Sequence, residues 1–83
     1  MASKVTYKAS VTSDLRRLDK PTSRRLLNKI EQDLAPNPDL GLALTGEFRG
    51  LFRYRVGDYR VIYAKATDGI LVLRIGHRRD VYR

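Results

Sequence analysis

The segment from Leu51 to Tyr63, LFRYRVGDYRVIY, carries three arginines on what the pattern makes a β-hairpin. Gly57-Asp58 predicts a two-residue turn with Gly in the first central position, as type II′ prefers. That turn sets Val56 opposite Tyr59 and Arg55 opposite Arg60. Side chains alternate along a strand, so Arg53, Arg55 and Arg60 share one face. Phe52, Tyr54, Val56, Tyr59, Val61 and Tyr63 share the other. Like charges directly opposite each other destabilise a sheet. Guanidinium groups bind phosphate oxygens bidentately, so a chain that keeps such a cluster is expected to hold an anion with it. The plainer alternative is a solvated basic face that docks an anionic partner without chemistry. A second candidate group stands at the C-terminus, His77-Arg78-Arg79-Asp80-Val81-Tyr82. His77 is the one histidine of the chain, and imidazole suits proton transfer at neutral pH. Surrounding cations favour its neutral, basic form, although a histidine at a strand end also commonly serves only as a backbone partner. Glu47, just before the arginine strand, is a second candidate base, with an ordinary surface charge as its alternative.

These residues sit on a chain of 83 residues, the length of one small domain, 1–83. Lys and Arg number 17 against 9 Asp and Glu, a formal net charge of +8 with a pI near 10.3. So strong a positive field points to polyanionic partners: nucleic acid, the ribosome or an acidic protein. The apolar fraction, 42%, is that of an ordinary globular protein. There are no cysteines, which excludes a disulfide scaffold and thiolate metal sites and fits a reducing compartment. With a single histidine as well, no metal or other cofactor is expected. No apolar run is long enough to span a bilayer, and the start MASKVTYK lacks the apolar core of a secretory signal. The expected address is the cytoplasm, with no membrane partner.

The elements that must position the arginines follow from periodicity. Lys4–Lys8 predicts a short strand with Val5 and Tyr7 on one face. Ala9–Leu18 predicts a helix with Val11, Leu15 and Leu18 as its apolar stripe. Asp19 can cap a second helix from about Pro21 to Ala35, proline being tolerated in its first turn. Its stripe is Leu26, Leu27, Ile30 and Leu34, and Lys20, Arg24, Arg25 and Lys29 form a basic outer face. Pro36-Asn37-Pro38 ends that helix. Leu40, Leu42 and Leu44 alternate through the following loop, as a short extended stretch tucked against the core would. Strands follow at about Leu51–Val56, Tyr59–Ala66 and Ile70–Ile75. No internal repeat or second domain is visible. The expectation is an α+β fold in the order β-α-α-β-β-β, a two-helix hairpin on one face of a mainly antiparallel four-stranded sheet.

The second hairpin is open to two readings. A two-residue Asp68-Gly69 loop puts Leu71, Leu73 and Ile75 on the arginine face. A three-residue loop, Thr67-Asp68-Gly69 with left-handed Gly, shifts the parity by one. It gathers those three residues with Phe52, Tyr54, Val61 and Tyr63 and adds Arg74 and Arg78 to the arginine face. The second option segregates charge from apolar surface better and is preferred. The helices then cover the Tyr/Val/Leu face and leave the arginine face open.

With this order of elements, the Leu44-Thr45-Gly46 loop, VGDYRVIY and the terminal GHRRDVY, the chain resembles the RelE/ParE toxins of type II toxin–antitoxin systems over nearly its whole length. The resemblance implies a RelE-like, microbial-ribonuclease-type fold. RelE-type members are ribosome-dependent mRNA endoribonucleases, and ParE-type members share the fold but poison DNA gyrase. RelE-type nucleases carry two basic residues, two apart, before the hairpin. They also carry an arginine in the following Tyr-Arg pair, an arginine after the glycine of the last strand, and a tyrosine near the C-terminus. Arg53, Arg55, Arg60, Arg78 and Tyr82 fill those places, which favours the nuclease branch. Arginines at 53 and 55 depart from the lysines of that pattern, and arginine effectively cannot give up its proton to act as a base.

The implied reaction is metal-independent: an RNA 2′-OH attacks its own 3′ phosphate in the ribosomal A site. The resemblance thus makes Arg53, Arg55, Arg60, Arg78 and Tyr82 the catalytic set, and the chemistry of its imidazole adds His77 as a candidate acid or base. Arg53 and Arg60 would stabilise the phosphorane, and Tyr82 would stack on a base, position the nucleophile or simply pack the tail. Arg74, Arg79, Arg24, Arg25 and Lys29 would bind further RNA phosphates. The implied partners are ribosome, mRNA and a RelB-like, acidic, partly disordered antitoxin lying over Leu51, Ile62 and Ala64. A gyrase poison or a noncatalytic ribosome- or RNA-binding module are the alternatives.

Overall fold

In a computed structural model the structure describes residues 4–77. Strand β1 (Lys4–Tyr7) leads into helix α1 (Ala9–Arg16) and helix α2 (Lys20–Lys29), which runs on into a π-helical turn at Ile30–Leu34. Strand β2 (Leu42–Ala43) is followed by β3 (Phe52–Val56), β4 (Tyr59–Ala66) and β5 (Gly69–His77). The five strands form one sheet in the order β1-β5-β4-β3-β2. Its pairs are antiparallel except β1 with β5, which is parallel. The α+β class is as expected, but the sheet has five strands. The stretch that holds Leu42 pairs with β3, Leu42 opposite Arg53. Leu40 and Leu42 do not tuck inward, being 47% and 63% exposed, while Leu44 is half-buried.

Both helices pack on one side of the sheet. Val11, Leu26, Ile30 and Leu34 close on Val56, Val61, Tyr63, Ile70, Val72 and Ile75, with Leu15, Leu18, Phe52, Tyr54 and Tyr59 around them. Helix α2 starts as its sequence dictates. The Asp19 carboxylate accepts from the Thr22 backbone N–H at 3.2 Å and from the Thr22 hydroxyl at 2.7 Å, satisfying one of the orphan donors of a first turn. Its C-terminal part departs from a plain α-helix. In the wider turn the Ala35 N–H donates to the Ile30 carbonyl, and Ile30, Leu34 and Ala35 are all buried. Leu27 is only half-buried.

The first hairpin is as the sequence predicts. Val56 pairs with Tyr59 and Arg55 with Arg60. Gly57 has φ 59° while Asp58 stays outside the left-handed region, the combination type II′ requires. The second hairpin matches neither reading made from the sequence. Ala66 pairs with Gly69 across a two-residue loop of Thr67 and Asp68, and Gly69 is not left-handed. Ile70 and Val72 therefore enter the core, while Leu71 lies beside Ala64 on the other face. A bulge then restores the parity, because Tyr63 pairs with Val72 but Ile62 pairs with Arg74, leaving Leu73 as the extra residue. Ile75 reaches the core and Arg74 reaches the arginine face by this bulge, not by a longer loop. Gly69 answers a different need. A Cβ there would overlap the Lys4 carbonyl oxygen, where β1 lies against β5.

Candidate nucleic-acid interface

The register gathers Arg53, Arg55 and Arg60 on the face turned away from the helices. Arg55 and Arg60 are direct cross-strand partners, and Arg53 lies two residues along β3 beside Ile62. Ile62 is flanked by Arg53 on one side and Arg74 on the other and is only 4% exposed. Arg55 is exposed, and its Nε donates to the Gly57 carbonyl at 3.1 Å, which folds it toward the hairpin tip. Arg60 is half-buried, and its Nε is enclosed without a hydrogen-bond acceptor among the described residues. A donor so placed costs free energy of folding. Beside Arg53 and Arg55, the exposed Leu40 and Leu42 and the edge of Tyr54 line a cleft of about 360 Å³.

Arg74 borders this face from β5. The Asp14 carboxylate takes its Nε at 3.0 Å and its Nη2 at 3.2 Å, and also accepts the Ile75 backbone N–H at 2.9 Å. Asp14 is 7% exposed. The sequence held a sign of this contact: a carboxylate between Val11 and Leu15, on the stripe that α1 buries.

His77 does not join the arginine trio. It pairs with Tyr59 at the end of β5, while Arg60 pairs with Gly76, so alternation turns His77 to the helix side. Its ring meets Tyr59 edge-on, with centroids 6.0 Å apart. A cleft of about 220 Å³ there is lined by Asp14, Arg17, Tyr59, Arg74 and His77, among others. Arg24, Arg25 and Lys29 are exposed on α2, on the opposite side of the sheet from the trio. Arg25 reaches toward the hairpin tip, where a Cβ on Gly57 would come within 3.1 Å of its Nη2. Lys29 pairs with Asp33 at 3.3 Å. Glu47 is exposed in a 3₁₀ turn, Gly46–Phe48. Arg78, Arg79 and Tyr82 lie outside the described residues.

The tyrosines mostly pack. Tyr63 is fully buried. Its hydroxyl donates to the Pro38 carbonyl at 2.6 Å and accepts the Gly41 N–H at 3.0 Å, tying the loop before β2 to the sheet. Burial raises its pKa above the ordinary tyrosine value. Lys65 pairs with Asp39 and lies over the Phe52 ring, 4.7 Å from its centroid. The Tyr7 hydroxyl is buried without a partner among the described residues. Its pKa is pushed up to about 12, chiefly by burial and further by the Glu31 charge. No group of three or more His, Cys, Asp or Glu able to hold a metal ion occurs among the described residues. No helix there is long and apolar enough to cross a membrane.

The chain thus sets a basic face on one side of a small five-stranded sheet and a two-helix layer on the other. Residues 5–82 match the profile of the ParE toxin of type II toxin–antitoxin systems, parDE, and the chain belongs to that family, within the RelE/ParE superfamily. The solved structures agree. The toxin–antitoxin complex RelBE2 of Mycobacterium tuberculosis is 26% identical over 94% of this chain and 100% of that one, with a TM-score of 0.87. The archaeal RelE–RelB complex of Pyrococcus horikoshii OT3 is 31% identical over 98% of this chain and 100% of that one, with a TM-score of 0.66. The intact RelBE complex of E. coli shares the fold at a TM-score of 0.73, with 14% identity over 92% of this chain and 96% of that one. No curated protein sequence matches significantly. The chain is thus a toxin of a type II toxin–antitoxin system, and these relatives were solved as complexes with antitoxins.

Proposed function

We propose that this toxin is a ribosome-dependent, metal-independent mRNA endoribonuclease that inhibits translation. The observation that carries the reading is the adjacency of Arg53, Arg55 and Arg60 on the sheet face turned away from the helices. In the reaction, the 2′ oxygen bonds to the adjacent phosphorus as the P–O5′ bond breaks. The 2′-OH loses a proton and the 5′ oxygen gains one, leaving a 2′,3′-cyclic phosphate and a 5′-OH. Charge accumulates on the phosphate oxygens, where preorganised donors act most strongly. Arg60 and Arg53 meet that charge, and Arg55 holds a flanking phosphate. With Arg78 and Tyr82 they form the catalytic set, and Arg79 with the α2 cations adds phosphate contacts.

Proton transfer supports dependence on the ribosome. Among the described residues, the strand positions sharing the trio's face are Lys4, Thr6, Leu42, Ile62, Ala64, Ala66, Gly69, Leu71, Arg74 and Gly76, and none is of a side-chain type that exchanges protons near neutrality. His77 lies on the other face, so water or ribosomal RNA carries the protons while the arginines align the RNA and stabilise charge. The partners in this reading are the ribosome with mRNA in its A site and a cognate, acidic, RelB-like antitoxin, all in the cytoplasm. The antitoxin lies across Leu51, Ala64 and the edge leucines beside the arginines.

A gyrase-directed toxin is the second reading, favoured by the match to a ParE toxin profile and by the position of His77. Induction of the chain in cells, with mRNA 5′ ends and DNA damage followed together, separates the two. Cuts within translated frames, lost in Arg60→Gln, support the nuclease. Growth arrest with intact mRNA and a DNA-damage response supports the gyrase poison and rejects the nuclease.

A further inference from the structure

Strand β1 stops pairing with β5 at Tyr7 and Val72, where the Lys8 N–H still reaches the Val72 carbonyl. Beyond that point β5 continues to His77, and side chains of α1 take over its edge. The Ser10 hydroxyl donates to the Leu73 carbonyl at 2.7 Å, and one turn on, Asp14 accepts the Ile75 N–H. These contacts bracket the bulge that turns Arg74 onto the arginine face. A neutral acceptor would satisfy the Ile75 N–H alone. The Asp14 carboxylate also engages Arg74 with both oxygens, although the Arg74 side chain is 37% exposed and has water available. A guanidinium carries five N–H donors in a fixed fork. The two taken by Asp14 fix its plane, and the donors of its outer edge remain for an incoming acceptor.

We propose that Asp14 is a positioning residue that holds Arg74 in one orientation at the border of the arginine face, so that its outer edge takes a flanking phosphate of bound RNA. This rests on the RNA-directed reading above. It places a buried carboxylate behind the cations of that face, and it assigns that carboxylate a gain in RNA binding against the sign of its charge.

The test is the affinity of the full chain for a single-stranded 2′-O-methyl RNA, which cannot be cleaved by 2′-OH attack. Fluorescence anisotropy is measured across a range of salt, and folding of each variant is checked by circular dichroism. Arg74→Gln is expected to weaken binding roughly fivefold and to flatten the log–log salt slope by about 0.7, one single-strand phosphate contact. Arg74→Lys keeps the charge without the fork, so it retains the slope but loses affinity. Asp14→Asn is expected to weaken binding although it removes a negative charge, and Asp14→Asn with Arg74→Gln should lose no more than Arg74→Gln alone. Wild-type or tighter binding by Asp14→Asn, or losses that simply add, overturns the proposal. If Asp14→Asn does not fold, wild-type binding by both Arg74 variants overturns it. Arg60→Gln keeps the two levels apart. Loss of binding there with none at Asp14 or Arg74 rejects only the positioning role, whereas a wild-type chain that binds no RNA rejects the RNA-directed reading as well.

Discussion

Arg55 and Arg60 are direct cross-strand partners on the hairpin closed by Gly57 and Asp58, two guanidinium groups set where a sheet built for stability would place opposite charges or β-branched side chains. Their repulsion, with the enclosed Arg60 Nε, makes this face a region where function and stability oppose each other. Arg55→Thr is expected to raise the unfolding free energy by about 0.5 kcal/mol. Arg60→Met is expected to raise it by roughly 1 kcal/mol, because it also removes a buried unpaired donor. Urea denaturation measures both gains, and growth after induction should show toxicity falling as stability rises.

The Tyr7 hydroxyl provides a pH-dependent test of the core. Its folded pKa of about 12 lies above the ordinary 10.0, so burial favours the neutral phenol. A raised folded pKa contributes stability that is complete below the unfolded value and is lost as pH rises through the folded one. Stability should therefore decline between pH 10.0 and about 12, more steeply in the wild type than in Tyr7→Phe. Below that window the Phe variant should be at least as stable, since the hydroxyl has no partner among the described residues. Urea midpoints measured across the alkaline range check both statements.

The parts of this architecture set by local chemistry were legible in the sequence. Gly57-Asp58 specifies its own turn, and alternation then determines which side chains accompany Arg53, Arg55 and Arg60. Asp19 followed by Pro21 marks the start of α2, and Leu26, Ile30 and Leu34 mark its buried side. What escaped depends on distant contacts. The choice between loops at Thr67–Gly69 assumed an unbroken ladder, and the bulge at Leu73 removes that assumption. Gly69 looked like a turn glycine, but its need is the close approach of Lys4. Leu42 alternates with Leu40 and Leu44 as a buried strand would, yet it ends as an exposed edge beside Arg53. His77 lies close in sequence to the arginines of the tail, and only the register with Tyr59 reveals which face it occupies. The pairing of Asp14 with Arg74 spans most of the chain, and its one local sign is an acidic residue on an apolar stripe.

Tyr63 ties the loop before β2 to the centre of the sheet, so Tyr63→Phe should act at a distance. Removing a hydroxyl that serves both Pro38 and Gly41 leaves those groups without their buried partner, at a cost of about 1–3 kcal/mol. Denaturation should show this loss. Amide exchange at Gly41 should accelerate far more than exchange at Val61, while the aromatic packing of ring 63 on Phe52 is retained.

Gly69→Ala tests the junction of β1 with β5. The added methyl overlaps the Lys4 carbonyl, so β1 must shift or detach, and a loss of roughly 2–3 kcal/mol is expected. The loss should appear in urea denaturation, with amide protection falling in β1 and persisting in the β3–β4 hairpin. Unchanged stability would mean that the parallel pair is not built as described.

The most direct test of the phosphate cradle is the cleavage of mRNA on purified, programmed ribosomes by the isolated toxin, with a chelator present and the product ends identified chemically. The account predicts cuts in A-site mRNA that leave a 2′,3′-cyclic phosphate and a 5′-OH, with Arg60→Gln slower by roughly 10²–10³-fold, as for loss of one preorganised oxyanion donor. Intact mRNA with the folded wild-type toxin, or wild-type rates from folded Arg60→Gln, would contradict it.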